Sequence, residues 1–424
     1  MRESVLLKNY TTFKCGGPAR FFDEPQSEEE IISDLRFANE RKIPVFILGG
    51  GANCLISDRG FDGLVIRIGK GLSDIGIKTN GDTATVTAGA GMLLRGLATT
   101  LASQGYEGTE FACGIPGTVG GGVFMNAGAY GGEMKDIVKS VRYINDKGEP
   151  CEVTGDALKL GYRTSIFSQM AKNGKTFVIT SVTLEVHKGD PAQISGKIEE
   201  FSSKRTSSQP LDVPSAGSTF KRPEGYFAGK LIDDAGLRGY SIDGSAAQVS
   251  PKHCGFVVNN GGEASAQDVY DLICDVSDKV FDKFGVRLEP EVRIVGFFAR
   301  KIRVMSFGFK YGVPEDADLI LDARSLKNPY WVEELRPLSG LDQPIIDYIE
   351  SFEETESLIC GFREESVHAL RQRNNSGFNI AVGCTGGHHR SVYCAVRLAS
   401  ILADMGYRTE VVHRDILKDT SDEQ

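Results

Sequence analysis

Three short stretches of the 424-residue chain carry residue types that could do chemistry. Residues 382–392 read VGCTGGHHRSV, so that Cys384 is followed by five residues and then by Arg390 and Ser391. That spacing suits a loop whose main-chain N–H groups converge on a phosphate while an Arg fork clamps it. Thr385, Gly386, Gly387, His389, Arg390 and Ser391 would line it. Cys384 would then be either a nucleophile for ester hydrolysis or a small buried side chain. The other two stretches are glycine loops. GGGANCL holds Gly49, Gly50, Gly51, Ala52, Asn53, Cys54 and Leu55 directly after an apolar run. GIPGTVGG holds Gly114, Pro116, Gly117, Thr118, Gly120 and Gly121. Glycines let backbone N–H groups come close to a diphosphate.

Each stretch has a plainer reading. Gly49 and Gly51 fit a dinucleotide fingerprint, but position 54 is Cys and CLISDRGFDGLVI reads as turns and a strand, not a helix. Alone, the first loop is as much a tight turn as a ligand loop. The second loop is longer, with eight glycines between Gly114 and Gly132 and with Asn126 and Tyr130 beside it. Two such loops in one chain favour a large flat ligand carrying a diphosphate. In the tail, Gly383 stands where a hydrolytic loop usually has His, and only Asp322 or Asp415 offers itself as general acid. Phosphate binding is therefore preferred there to hydrolysis.

The charge balance is acidic: 48 Lys and Arg against 57 Asp and Glu. Residues 303–424 carry 13 and 20 of these, so the tail holds −7 of the net −9. This excludes a general nucleic-acid or membrane-surface protein. RNA binding in the tail would need a local patch, for which Arg371, Arg373, His388, His389 and Arg390 are available. The nine Cys include no CxxC pair, which fits a reducing compartment with no disulfide framework and no metal site. MRESVLLKNYTTFKC has too short an apolar run for a signal peptide, and no stretch could span a bilayer, so a cytoplasmic protein is expected.

The elements that must position these residues mix helices with strands. Ser27 and Glu30 predict a capping box for a helix over 27–42, with Ile31, Ile32, Leu35 and Ala38 on its apolar face. IPVFILGGG, GLVIRIG, TATVTAGAG, SVRYINDKGEP, TFVITSVTLEV and RLEPEVRIVG read as strands, and 91–105 as a second helix. A helix from the Ser265 cap to Gly285 should bury Val269, Leu272, Ile273, Val276, Val280 and Phe281. A boundary is expected near 300–303, across a basic turn. Beyond it, NPYWVEELRPLSG reads as a turn and short helix. NIAVGCTGG, SVYCAVRLASILADMG and YRTEVVHRD form a strand, loop, helix and strand, an α/β unit.

Seven segments taken in order resemble the UDP-N-acetylenolpyruvoylglucosamine reductase family. They are YTTFKCGGPARFF, GGGANCLISDRGF, GIPGTVGGGVFMNAGAYG, GYRTSIF, PSAGSTFKRP, AGKLIDDAGLRGYSIDGSAAQVSPKHCGFVVN and LEPEVRIVG. The resemblance implies an FAD-binding α+β fold of two subdomains over 1–200 and a substrate-binding α+β domain over 201–300. It implies FAD as cofactor, NADPH as hydride donor, and reduction of UDP-N-acetylglucosamine enolpyruvate to UDP-N-acetylmuramate in peptidoglycan synthesis. Such a reaction builds negative charge on the carbon beside the substrate carboxylate, so it needs a cation, a polarising acid and a proton donor. The family pattern places these at Arg163, Glu291 and Ser218, with Ser218 as proton donor. It implies substrate contacts at Asn126, Lys230 and Gln248. Arg222 stands where the family often has Asn. Alone, Ser218 would be a turn hydroxyl, Arg163 a solvated side chain, and Glu291 a surface partner of Arg293 or Lys283. Because GYRTSIF runs almost directly into FVITSVTLEV, the compact branch of the family is expected. The alternative is an FAD sugar or lactone oxidase. Those commonly tether flavin through His, and no His lies in or beside either glycine loop.

Residues 305–415 resemble a second family, the C-terminal domain of RapZ proteins, through FGFKYGVPEDADLILDARSLKNPYWVEELRPLSGLDQPIIDYI, GCTGGHHRSV and VVHRD. This implies a small α/β domain over 303–424 that senses a phosphorylated amino sugar or works as an adaptor, with RNA or protein as a possible partner. Glucosamine-6-phosphate is the natural ligand to test.

Overall fold

The computed structural model describes residues 1–299, 301–372 and 377–418, without the side chains of Lys301, Arg371 and Gln372. The chain divides into two compact units, Met1–Phe297 and Phe298–Gln424. Among the described residues, no helix is long and apolar enough to cross a membrane.

The first unit starts with a four-stranded sheet in the order Arg2–Leu6, Pro18–Asp23, Phe61–Arg67, Val45–Leu48. The first pair is antiparallel and the other two pairs are parallel. The Glu28–Arg41 helix packs beside it through Ile31, Leu35 and Ala38, with Ile32 only half-buried. Each fully buried Ile or Leu on that stripe contributes about 1.5–3 kcal/mol. Ser27 Oγ accepts from the Glu30 N–H. Glu30 does not complete the expected capping box: its carboxylate accepts from the Gln26 N–H at 2.7 Å.

A second, antiparallel sheet runs Pro150–Thr154, Val138–Asn145, Phe177–Lys188, Thr83–Gly89, Ile75–Asn80, with Tyr106–Glu107 also on the long central strand. Its helix Leu94–Ser103 starts later than position 91. The reason is local: Leu93 pairs with Thr118 in an antiparallel bridge, and the Leu94 N–H donates to the Gly117 carbonyl. The second glycine loop thus sets where this helix begins.

The last third of the unit holds the Ala266–Phe284 helix. Its Ser265 and Gly285 caps lie where the sequence put them, and Asp268 completes a capping box with Ser265. Phe281 is an exception, 41% exposed under the Arg287 guanidinium. RLEPEVRIVG forms a strand only at Arg293–Val295, which pairs in parallel with Cys54–Ile56. This return of the chain brings the PEVR segment to the first glycine loop.

The second unit is an α/β domain. Its four parallel strands run in the order Leu319–Asp322, Phe378–Cys384, Lys301–Gly308, Arg408–His413. Val304, Ile380, Val382, Leu398 and Leu402 form the middle of its core. NPYWVEELRPLSG makes only a 3-10 turn at Pro329–Trp331 and further turns; the next helix is Gln343–Glu350. Arg300, in the expected basic turn, lies outside the described residues.

Candidate active site and the tail loop

The Val45–Leu48 strand ends in Gly49–Asn53, and the two glycine loops meet there. A Cβ on Gly50 would lie 2.8 Å from Gly117 Cα, so the loops touch backbone to backbone. Gly51 has φ +64°, and a Cβ there would lie 1.9 Å from the Tyr10 carbonyl oxygen. Only glycine meets both demands. Thr118 then caps the short Val119–Met125 helix by accepting from the Gly121 N–H.

Both loops line a cavity of about 590 Å³. Its wall includes Gly49 to Cys54, Pro116 to Thr118, Gly120 and Gly121. The N–H groups of Gly50, Gly51, Ala52, Asn53, Gly117 and Thr118 make no hydrogen bond to any described residue. Unsatisfied N–H groups at a cavity wall form an anion-binding surface. Four cationic side chains, Arg163, Lys175, Arg205 and Arg293, face one carboxylate, Glu291. Ile115, Phe124 and Ile179 supply apolar wall. A flavin dinucleotide fits this chemistry, an apolar ring system joined to a diphosphate.

The three residues implied for catalysis line the same cavity. Arg163 Nε donates to Glu291 Oε1 at 2.7 Å, with the two side chains 22% and 13% exposed. Glu291 therefore pairs with Arg163 and not with Arg293 or Lys283. Burial raises the Glu291 pKa, and the adjacent Arg163 only partly offsets this. Arg163 itself sits at φ +53°, a strained position for a non-glycine residue. Ser218 is exposed on the cavity wall, and its hydroxyl has no partner among the described residues. Backbone bonds register the groups. The Glu291 N–H donates to the Thr219 carbonyl at 2.8 Å, and Asn53 Nδ2 donates to the Glu291 carbonyl at 3.1 Å.

Five expected site residues do not line the cavity. Leu55 alternates inward from Cys54 and is fully buried. Gly114 lies against the Arg205 side chain. Asn126 is buried with φ +44°; its amide serves Glu133 and Gly161, and its oxygen accepts from the Lys135 N–H. Lys230 is exposed and paired with Asp234 at 2.7 Å. Gln248 is bound to the Gly239 carbonyl and to Asn260. Conversely, Lys175, Arg205 and Arg293 line the cavity without having been expected. Arg293 was accessible to reasoning, because it follows Glu291 by two residues in an extended segment and so shares its face. Its guanidinium lies 4.7 Å from the Phe124 ring centre.

In the tail, Cys384 ends its strand and Arg390 begins the Arg390–Asp404 helix. Cys384 is buried; its Sγ accepts from the Gly387 N–H at 3.2 Å and lies 3.1 Å from Ser391 Oγ. Arg390 does not reach into the loop as an open clamp. It donates to the carbonyls of Arg324 and Leu326 and to Thr385 Oγ1. The loop encloses only about 10 Å³, close to the space of one water. Two buried nitrogens beside it, His389 Nε2 and Arg390 Nε, have no partner among the described residues. Burial above all pushes the His389 pKa down to about 4, so its ring is neutral at pH 7.

Neither proposed general acid is suited to donate a proton. The Arg324 guanidinium holds Asp322 below the usual carboxylate range. Asp415 is pushed up by burial, but Arg414, the Gly308 N–H and Lys418 outweigh this and lower it. Among the described residues, those named for a local RNA patch are otherwise engaged. His389 and Arg390 are buried, and His388 binds the Ile416 carbonyl. Arg373 lies outside the described residues, as does the Arg371 side chain.

Comparison with known proteins accounts for both units. A model of the FAD binding domain matches residues 19–154, and one of the UDP-N-acetylenolpyruvoylglucosamine reductase C-terminal domain matches 209–295. A model of the RapZ C-terminal domain matches 300–417. The chain is 46% identical over 290 residues to a UDP-N-acetylenolpyruvoylglucosamine reductase of Alkaliphilus oremlandii, covering 68% of this chain and 91% of that one. It is 48% identical to the reductase of Clostridioides difficile over the same shares. The crystal structure of the reductase from Thermus caldophilus superposes with a TM-score of 0.58 at 33% identity, covering 69% of this chain and 98% of that one. The chain belongs to the UDP-N-acetylenolpyruvoylglucosamine reductase family and carries, after the reductase, a domain like the C-terminal domain of RapZ.

Proposed function

We propose that the glycine-lined cavity is the active site in which the chain reduces UDP-N-acetylglucosamine enolpyruvate to UDP-N-acetylmuramate, a step of peptidoglycan synthesis. The reaction is FAD-dependent and consumes NADPH, as membership of the family establishes. The observation that carries the assignment is that the Arg163–Glu291 pair and the unpartnered Ser218 hydroxyl share a cavity with both glycine loops. Residues 1–200 would hold the cofactor and 201–300 the substrate.

FAD, when bound, supplies hydride to the vinyl carbon of the enolpyruvyl group. The chain's own residues manage the charge that results. Arg163 orients the substrate carboxylate and stabilises the charge developing beside it. Glu291, with its raised pKa, polarises the same carboxylate. Ser218 delivers the proton to the carbon next to the carboxylate, which its free hydroxyl allows. Backbone N–H groups of Gly50 to Asn53 and of Gly117 and Thr118 would hold the diphosphate. The purified, FAD-loaded chain should oxidise NADPH only when the enolpyruvyl substrate is present, forming UDP-N-acetylmuramate. No substrate-dependent NADPH oxidation, with flavin retained in an acid pellet, would favour the oxidase alternative.

For the tail we propose binding of a small phosphorylated amino sugar rather than hydrolysis. The unpartnered His389 and Arg390 nitrogens beside the loop support an anion site, and the ionised Asp322 and Asp415 argue against a general acid. Binding requires the loop to widen. Calorimetry of the full chain with glucosamine-6-phosphate, beside Arg390→Ala, tests this. Saturable binding lost in the variant is expected, and no binding by the parent removes the proposal.

A further inference from the structure

The Pro191–Ser208 helix is polar along its length and fully buries only Ile194. Its cationic side chains have different fates. Lys197 pairs with the buried Glu110 and Lys204 with the exposed Glu200. Arg205 turns inward and lines the cavity, yet makes no hydrogen bond or ion pair with any described residue. Its stem is admitted by a specific vacancy: a Cβ on Gly114 would lie 2.8 Å from Arg205 Cδ. One helical turn earlier, Phe201 stacks on Tyr130, with ring centres 4.6 Å apart and planes within 10°. That stack fixes the helix against the segment that follows the second glycine loop.

A partly buried guanidinium with no acceptor is costly unless an anion completes it. Burial indeed lowers the Arg205 pKa, disfavouring the charge. Glu291, the cavity's one carboxylate, is already engaged by Arg163. The missing partner is therefore supplied by a ligand. Three ligands of this enzyme carry a diphosphate, FAD, NADPH and the UDP-sugar, and position singles out the one held by the glycine loops. Ser218 and Glu291 belong to segments stitched together by backbone bonds, and Arg163 joins them through its ion pair with Glu291. Arg205 instead lies against Gly114, three and four residues before Gly117 and Thr118 with their free N–H groups.

We infer that Arg205 is a positioning residue for the cofactor, its guanidinium closing the second glycine loop around the phosphates of the dinucleotide. Gly114 is then a glycine on behalf of Arg205 and has no ligand contact of its own. The inference rests on FAD occupying the glycine-lined cavity. Arg205 takes no part in the chemistry. It makes the cavity prefer a dinucleotide to the bare isoalloxazine and ribityl portion.

The test uses full-length apoprotein titrated with FAD and with riboflavin, which lacks phosphate, followed by flavin fluorescence. Arg205→Met keeps the stem that packs on Gly114, and Arg205→Lys keeps the charge. In Arg205→Met the dissociation constant for FAD should rise about 10- to 100-fold, the worth of one charged hydrogen-bonding group, with riboflavin affinity unchanged. The salt dependence of FAD binding should weaken, and Arg205→Lys should recover part of the loss. FAD binding equal to the parent's, with KM for the enolpyruvyl substrate or for NADPH raised instead, would overturn the assignment in favour of that ligand's diphosphate. Equal losses for FAD and riboflavin would overturn it as general damage to the cavity. If the parent itself bound no FAD, the underlying cofactor reading would fail, a result distinct from either.

Discussion

Replacing Glu291 by Gln separates what this side chain does for catalysis from what it does for stability. The carboxylate is buried, and burial raises its pKa above the ordinary 4.5 despite Arg163 at 2.7 Å. An acid whose folded pKa is raised lends stability only while protonated. That contribution is complete below the unfolded pKa and is lost as pH rises through the folded one. Wherever it is ionised, Glu291 is therefore a net liability to the fold. Gln keeps an oxygen that can accept from Arg163 Nε and removes the buried charge. The variant should melt at or above the parent's temperature at pH 7, and the difference should shrink toward pH 4 as the parent's carboxyl takes up its proton. Turnover should move the other way. Loss of one polarising group in a closed site typically slows turnover about 10²- to 10³-fold, or roughly 3–4 kcal/mol of barrier. Thermal melts from pH 4 to 8 and substrate-dependent NADPH oxidation read both effects. A variant melting well below the parent at pH 7 would make Glu291 a structural ion-pair partner. Unchanged turnover would remove it from the chemistry.

Two further outcomes follow from the first unit. Gly51→Ala places a methyl 1.9 Å from the Tyr10 carbonyl oxygen at φ +64°, so it should destabilise the fold by more than about 2 kcal/mol and weaken FAD binding; denaturant unfolding with flavin present and absent measures both. Asp34 is buried on the Glu28–Arg41 helix, and one of its carboxyl oxygens has no partner among the described residues. Burial and the neighbouring Asp23 raise its pKa to about 7. Asp34→Asn should match the parent's stability near pH 4 and exceed it progressively up to pH 7 and above. A constant difference across that range would show that Asp34 does not titrate as argued.

Much of this molecule was readable where local rules and tertiary contacts agree. The Ala266–Phe284 helix carries both of its caps in sequence, Ser265 and Gly285, and its buried stripe follows the 3.6-residue period. Phe281 fell outside because it stands at the edge of that stripe, where Arg287 and solvent cover it. The glycine loops were readable as loops, but the purpose of individual glycines was not. Gly50 faces another backbone, Gly51 a carbonyl, and Gly114 a side chain ninety-one positions away in sequence, none of which a local pattern encodes. Arg205 was missed for the same reason, since a polar helix gives no sign of which cation turns inward. Asn126 and Gln248 look like ligands in a motif, and nothing local in the sequence shows that their amides also bond to Glu133 and Gly161 and to Gly239 and Asn260. In the tail, spacing forecast a loop between the strand that ends at Cys384 and the helix that begins at Arg390. It could not forecast that Arg390 would spend its fork on the carbonyls of Arg324 and Leu326.

In the proposed mechanism Ser218 gives the proton once NADPH has reduced the flavin. Stopped-flow absorbance of Ser218→Ala tests it most directly, because the two half-reactions can be watched separately. Bleaching of the flavin by NADPH should proceed at the parent's rate, showing an intact cofactor site. Return of the flavin colour on mixing with UDP-N-acetylglucosamine enolpyruvate should slow roughly 10²- to 10⁴-fold, the worth of a positioned proton donor. Return of colour at the parent's rate would contradict the account and leave the proton to another group on the cavity wall.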